Sequence, residues 1–203
     1  MPASLYRHFA LACLTASLMA CSAGAKEKRP PARSTATKPA SPKAAPQSTP
    51  PLNAFAKDML DAHNQARASA KPAPKPALPP LEWSAEATRT AEAWAAKCTF
   101  EHNPNRGPFG ENLAAATPGA WKTADVVKDW NSEAAHYNLG KNTCAPGKVC
   151  GHYTQLVWRN TTHVGCARRT CTKNSPFGKD FPTWEYWVCN YAPPGNFLGQ
   201  RPY

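Results

Sequence analysis

The sequence predicts an α+β fold, and three observations carry the prediction. Apolar residues recur at helical spacing in three segments of the middle region, two β-branched and aromatic runs follow near the C-terminal end, and six cysteines are spread over both kinds of segment. Three or four helices packed on a small antiparallel sheet is the simplest arrangement of such elements.

The first 51 residues stand apart from that pattern. In "MPASLYRHFALACLTASLMAC", Arg7 and His8 precede an apolar run from Phe9 to Ala20, too short to span a bilayer and the right length for an export signal. Leu18-Met19-Ala20-Cys21 resembles a bacterial lipobox, so residues 1–21 are expected to be a signal peptide whose Cys21 is acylated and anchors the mature chain to a membrane. An ordinary cleavage site within Ala20 to Ala25 is the alternative. Residues 22–51 are rich in Pro, Ala, Ser and Lys and carry no large apolar side chain, so burial cannot offset their ordering entropy; a disordered tether is expected. Of the formal net charge of +11, +5 lies in this tether, +1 at Arg7 and only +5 in residues 52–203. The basic pI therefore owes as much to a solvated spacer as to the domain, and no basic stripe argues for nucleic acid.

Residues 52–203 are expected to form one domain. In "NAFAKDMLDAHNQARA", Phe55, Met59, Leu60 and His63 recur at helical spacing, with Arg67 one turn beyond His63. The prolines of "KPAPKPALPPLEW" must end this helix, because they remove backbone donors and favour extended geometry. Ser84 caps a second helix, "AEATRTAEAWAAKC", with Ala87, Ala91, Trp94 and Cys98 on one side. A third is expected over "TADVVKDWNSEAAHY", where Val126, Val127 and Trp130 share a face and Glu133 lies near its edge. "THVGCARRTC" and "TWEYWVCNY" read as strands, joined through the turn-rich "TKNSPFGKDFP".

Six of the eight cysteines fall in this domain: Cys98, Cys144, Cys150, Cys166, Cys171 and Cys189. An even number behind an export signal reads as three disulfides. Zinc is the competing reading, but no pair has CxxC spacing. Spacing alone leaves the connectivity open.

Four motifs then narrow the reading. "GHYTQLVWRNT" at 151–161 and "YWVCNYAPPGNF" at 186–197 resemble the two long signatures of the CAP superfamily, the cysteine-rich secretory proteins, antigen 5 and pathogenesis-related class 1 proteins. "HNQAR" at 63–67 and "GENLA" at 110–114 are similar to its two short motifs, in the family's order. The resemblance covers essentially all of residues 53–203 and is closest to the plant pathogenesis-related class 1 proteins. It implies a three-layer α-β-α sandwich and the pairings Cys98–Cys171, Cys144–Cys150 and Cys166–Cys189.

It also implies a cleft in which His63, Glu111, Glu133 and His152 converge. Neutral imidazoles of His63 and His152 would bind a divalent cation such as Zn²⁺, and the carboxylates would orient an imidazole or a bound water. Taken singly, each residue has a plainer reading: His63 a helix-face histidine, Glu111 a charge at a loop-to-helix start, Glu133 a solvated helix residue, His152 a satisfied core imidazole. His102 of "FEHN" matches a position often histidine in the family but is read as structural and outside the tetrad, and His136 and His163 as surface groups. The "NTT" sequon at Asn160 matters only in a eukaryotic host.

Three functions compete. A binding module for a sterol, fatty acid or other lipid, or for a cell-envelope component, is the leading expectation, in an exported, monomeric protein held at the envelope or released outside the cell. A metal-dependent hydrolase is the second, with Glu111 or Glu133 taking a proton from a bound water. No HExxH or GxSxG motif supports it, and no catalytic residue is assigned. A signalling peptide released from the C-terminus and starting at Ala192 is the third.

Overall fold

A computed structural model of the chain describes residues 52–203. The expected signal peptide, the lipobox at Cys21 and the tether lie outside the described residues.

The chain runs α1 (Ala54–Ala68), β1 (Glu82–Trp83), α2 (Ala85–Ala95), β2 (Gly110–Ala116), α3 (Thr123–Ser132), a 3-10 turn (Glu133–His136), β3 (Tyr137–Asn138), β4 (Thr143–Cys144), α4 (Gly151–Leu156), β5 (His163–Cys171) and β6 (Trp184–Ala192). Both long early helices start on a side-chain cap: Asn53 accepts from the Ala56 amide at 2.8 Å, and Ser84 from the Ala87 amide at 3.1 Å. The expected third helix is shorter than its apolar pattern suggested. It gives way to a 3-10 turn at Glu133, where the carboxylate leaves the helix surface to bond α4.

The main sheet has the order β1-β5-β6-β2. β5/β6 is antiparallel, as expected; β2, which was not expected as a strand, pairs antiparallel with β6, and the two residues of β1 pair in parallel with His163 and Val164. Alternation along β6 divides the core in two. Trp187, Cys189 and Tyr191 pack towards α1 and α3 with Met59, Val126, Val127 and Trp130, and Trp184, Tyr186 and Val188 pack towards α2 with Ala91, Trp94 and Ala95. The result is the three-layer α-β-α sandwich that the motifs implied. Most tryptophans serve this packing: Trp94, Trp130, Trp158, Trp184 and Trp187 are all buried.

The three disulfides pair as the resemblance implied. Cys98–Cys171 ties the end of α2 to the end of β5, Cys144–Cys150 closes the turn leading into α4, and Cys166–Cys189 joins directly opposed residues of β5 and β6.

The "HNQAR" segment is a set of staples. Asn64 brackets Leu81, donating to its carbonyl at 3.1 Å and accepting from its amide at 2.7 Å. Arg67, 1% exposed, spreads its guanidinium over the carbonyls of Pro79, Leu156, Trp158 and Thr161. Burial, reinforced by the charge of Arg159, lowers its pKa to about 10, still cationic at neutral pH. A guanidinium suits this position because its planar fork carries five donors. Gln155 performs a similar task between Thr161 and the Gly195 amide, and a Cβ on Gly110 would stand 2.1 Å from its Oε1, so the backbone there needs glycine.

Candidate functional site

His63 projects into the core between α1 and the sheet. Its ring is fully buried, and both nitrogens are engaged: Nδ1 donates to the Met59 carbonyl at 2.7 Å, and Nε2 accepts from the Tyr191 hydroxyl at 2.9 Å. The carbonyl can only accept, which fixes the proton on Nδ1 of the neutral ring and leaves Nε2 to the phenol. Asn112 completes the chain, donating from Nδ2 to the Tyr191 hydroxyl at 3.2 Å and to the His152 carbonyl at 3.1 Å. Burial lowers the His63 pKa to about 4, with the Met59 bond opposing the shift and the Arg67 charge adding to it. No lone pair remains for a cation. The expectation that His63 is a metal ligand is therefore corrected: apolar periodicity placed it on the buried stripe, and its environment satisfies it there.

The sulfurs of Cys166 and Cys189 lie within 4.8 Å of a His63 ring nitrogen. They are bonded to each other, so neither is a thiolate, and the cluster is a crosslink beside a neutral imidazole.

His102 occupies the position beside Glu111 instead. It lies in the loop ahead of β2, and its Nδ1 meets Glu111 Oε1 at 2.8 Å, with the same oxygen accepting from the Asn103 amide at 2.9 Å. Arg106 shapes the loop by donating to the Asn103 and Phe109 carbonyls. The Glu111 side chain is wholly buried, while that of His102 is 59% exposed. Glu111 is also in a strand, not at the start of a helix. The signal that could have identified His102 was present in the sequence, a histidine nine residues before the glutamate of "GENL". Without the turn built by Asn103 and Arg106, that spacing suggests no contact.

The second pair is tighter. Glu133 Oε1 meets His152 Nδ1 at 2.6 Å, and its Oε2 accepts from the amides of His152 and Tyr153 at 2.9 and 3.0 Å. One carboxylate thus orients the imidazole and satisfies two free amides at the start of α4. The His152 ring stacks on Trp130 at 6.0 Å between centroids, its side chain 30% exposed. Asp129 lies one turn before Glu133, and partial burial together with the Glu133 charge raises its pKa against the opposing pull of His152.

Both pairs border one strand. Glu111 and Asn112 are consecutive in β2 and project to opposite faces; the first holds His102 on the α2 side, and the second touches the His152 backbone on the other. β2 is the outer strand of the sheet, so the two His–Glu pairs flank an open edge. Each Nδ1 faces an acceptor, which directs each free lone pair to Nε2, and neither Nε2 has a protein partner among the described residues.

The sequence comparisons agree with this architecture. The profile of the cysteine-rich secretory protein family, CAP, matches residues 60–191. The chain belongs to the CAP family. Pathogenesis-related protein 1A of Nicotiana tabacum is 42% identical over 151 residues, covering 72% of this chain and 79% of the tobacco protein. Human peptidase inhibitor 16 is 41% identical over 145 residues, which span 71% of this chain but only 31% of the inhibitor. Among solved CAP structures, NaASP2 with Zn²⁺ superposes with a TM-score of 0.57 at 26% identity, covering 75% of this chain and 86% of that one. Three disulfides in a CAP domain fit an oxidising compartment outside the cytoplasm.

Proposed function

We propose that this CAP domain is an exported binding module whose two His–Glu pairs hold a divalent cation, with His102 and His152 as the protein ligands. The observation that carries the reading is the identical arrangement of the pairs: carboxylate on Nδ1, Nε2 free, ring partly open to solvent. Histidines that ligate metals are typically oriented in this way by a carboxylate on the second nitrogen. The donor set suits Zn²⁺, and a relative of the same fold was solved with that ion. The cation would supply a positive anchor for an anionic or carbonyl-bearing ligand.

Binding is favoured over hydrolysis because Glu133 already accepts three hydrogen bonds and the Glu111 side chain is closed to bulk solvent, so neither carboxylate is presented to a water in an open cleft. For an apolar ligand such as a sterol or fatty acid, the support is a groove of about 330 Å³ lined by Tyr137, Trp158, Phe197 and Leu198, the last fully exposed. Release of a peptide at Ala192 is disfavoured, since Tyr191 is buried and Ala192 still pairs with His163.

Isothermal titration of the purified protein with Zn²⁺ tests the reading. Wild type and His63→Asn should bind equally, and His102→Ala/His152→Ala should lose binding. Retention of zinc by the double variant would refute it.

A further inference from the structure

Behind the His102–Glu111 pair lies a polar cluster that the cation reading does not use. Asn190 in β6 is directly opposite Glu111 on one side and Gly165 on the other. Alternation puts its side chain on the α2 face with that of Glu111, at the separation of a cross-strand pair, about 5 Å between Cβ atoms. Asn190 is fully buried, and so is the Glu111 side chain. Yet Glu111 Oε2, Asn190 Oδ1 and Asn190 Nδ2 all lack a protein partner among the described residues.

Neighbouring groups are committed elsewhere. Thr88 Oγ1, which a Cβ on Gly165 would approach to 2.7 Å, donates to the Ser84 carbonyl. Both the Tyr186 hydroxyl and Trp94 Nε1 donate to the Glu101 carbonyl. A direct Asn190–Glu111 bond would satisfy Oε2 and one amide hydrogen but would leave Oδ1 without a donor. Leaving buried polar atoms unbonded is costly, and a small molecule that both donates and accepts would satisfy all three.

We propose that Glu111 and Asn190 share an internal water site, and that Asn190 is a positioning residue which, through this water, fixes the carboxylate that orients His102. The water donates to Glu111 Oε2 and Asn190 Oδ1, and the amide Nδ2 donates to it or to a second water; buried waters commonly make about three such bonds. With Oε2 held, Oε1 keeps its place between His102 Nδ1 and the Asn103 amide. The effect on His102 rests on the cation reading above, whereas the water site itself does not.

Two measurements test it. An atomic-resolution crystal structure of the wild-type protein should show water density between Glu111 Oε2 and the Asn190 amide; direct Nδ2–Oε2 contact with no water would overturn the proposal. In zinc titration, Asn190→Leu should bind about tenfold more weakly, the usual scale for loss of a group that orients a metal ligand, while Asn190→Ser, which can still hold the water, should recover most of that loss. Equal affinity of wild type and Asn190→Leu would overturn the positioning role, and Asn190→Ala replaces the leucine variant if that one does not fold. If wild type binds no zinc, the cation reading fails and the density alone decides the water site.

Discussion

At the scale of single residues, similar side chains part company according to what surrounds them. Histidines 63, 102 and 152 are alike in the sequence, but only His63 is sealed from water with both nitrogens bonded. Its pKa of about 4 gives a pH dependence whose sign follows from linkage. Between roughly pH 4 and 6.5 the unfolded chain binds a proton that the folded one refuses, so stability is complete above 6.5 and declines as pH falls towards 4. The loss should approach about 3 kcal/mol, and urea unfolding across that window should show a shallower slope for His63→Asn than for wild type. Glu133 should behave differently. Glu133→Gln places an amide against donors that need an acceptor, and should both weaken Zn²⁺ binding by about tenfold or more and destabilise the start of α4 by roughly 1–3 kcal/mol. Titration and amide exchange at His152 and Tyr153 read the two effects separately.

At the scale of elements, the helices and the two terminal strands were legible because each carries its own periodicity. Met59 and His63 mark the buried face of α1, Ser84 caps α2, and β5 and β6 begin and end within a residue or so of the turn-rich segment and flanks that predicted them. β2 was not legible as a strand. "GENLAAA" has small and polar residues that favour no β conformation, and it is extended because β6 pairs with it along all seven residues. Arg67 lies on the buried face of α1 with His63, as its spacing placed it, but its hydrogen-bonding role was not legible. Its role is to join α1, the proline segment and the end of α4 through four carbonyls. A lysine carries a compact ammonium that cannot reach all of them, so Arg67→Lys should cost roughly 3 kcal/mol in urea unfolding and leave zinc affinity unchanged.

At the scale of the whole molecule, the crosslinks set how strongly the folded domain resists unfolding. Loop closure predicts unequal contributions. Removing Cys98–Cys171, which spans 73 residues, should cost about 4 kcal/mol on the chain-entropy model, and removing Cys144–Cys150, which spans 6, about 2 kcal/mol. Thermal unfolding of the paired serine variants checks the order. The shorter bridge should also affect the site, since Cys150 immediately precedes α4 and His152. For the N-terminus, we expect intact mass of the envelope form to reveal an acylated Cys21; an unmodified start at another residue would remove the anchor.

The sequence by itself determined the family, the α+β class and the helix faces, because local periodicity and four contiguous motifs are written along the chain. It also marked Glu111 and His152 through those motifs, and Glu133 through the family resemblance that they carry. Only the tertiary structure decided which histidine joins Glu111. The loop bent by Asn103 and Arg106 brings His102 to the carboxylate, while the core closes over His63 and occupies both of its nitrogens. Hydrogen-bond partners that come from separate segments are settled by how the chain packs, and no pattern along the sequence records them.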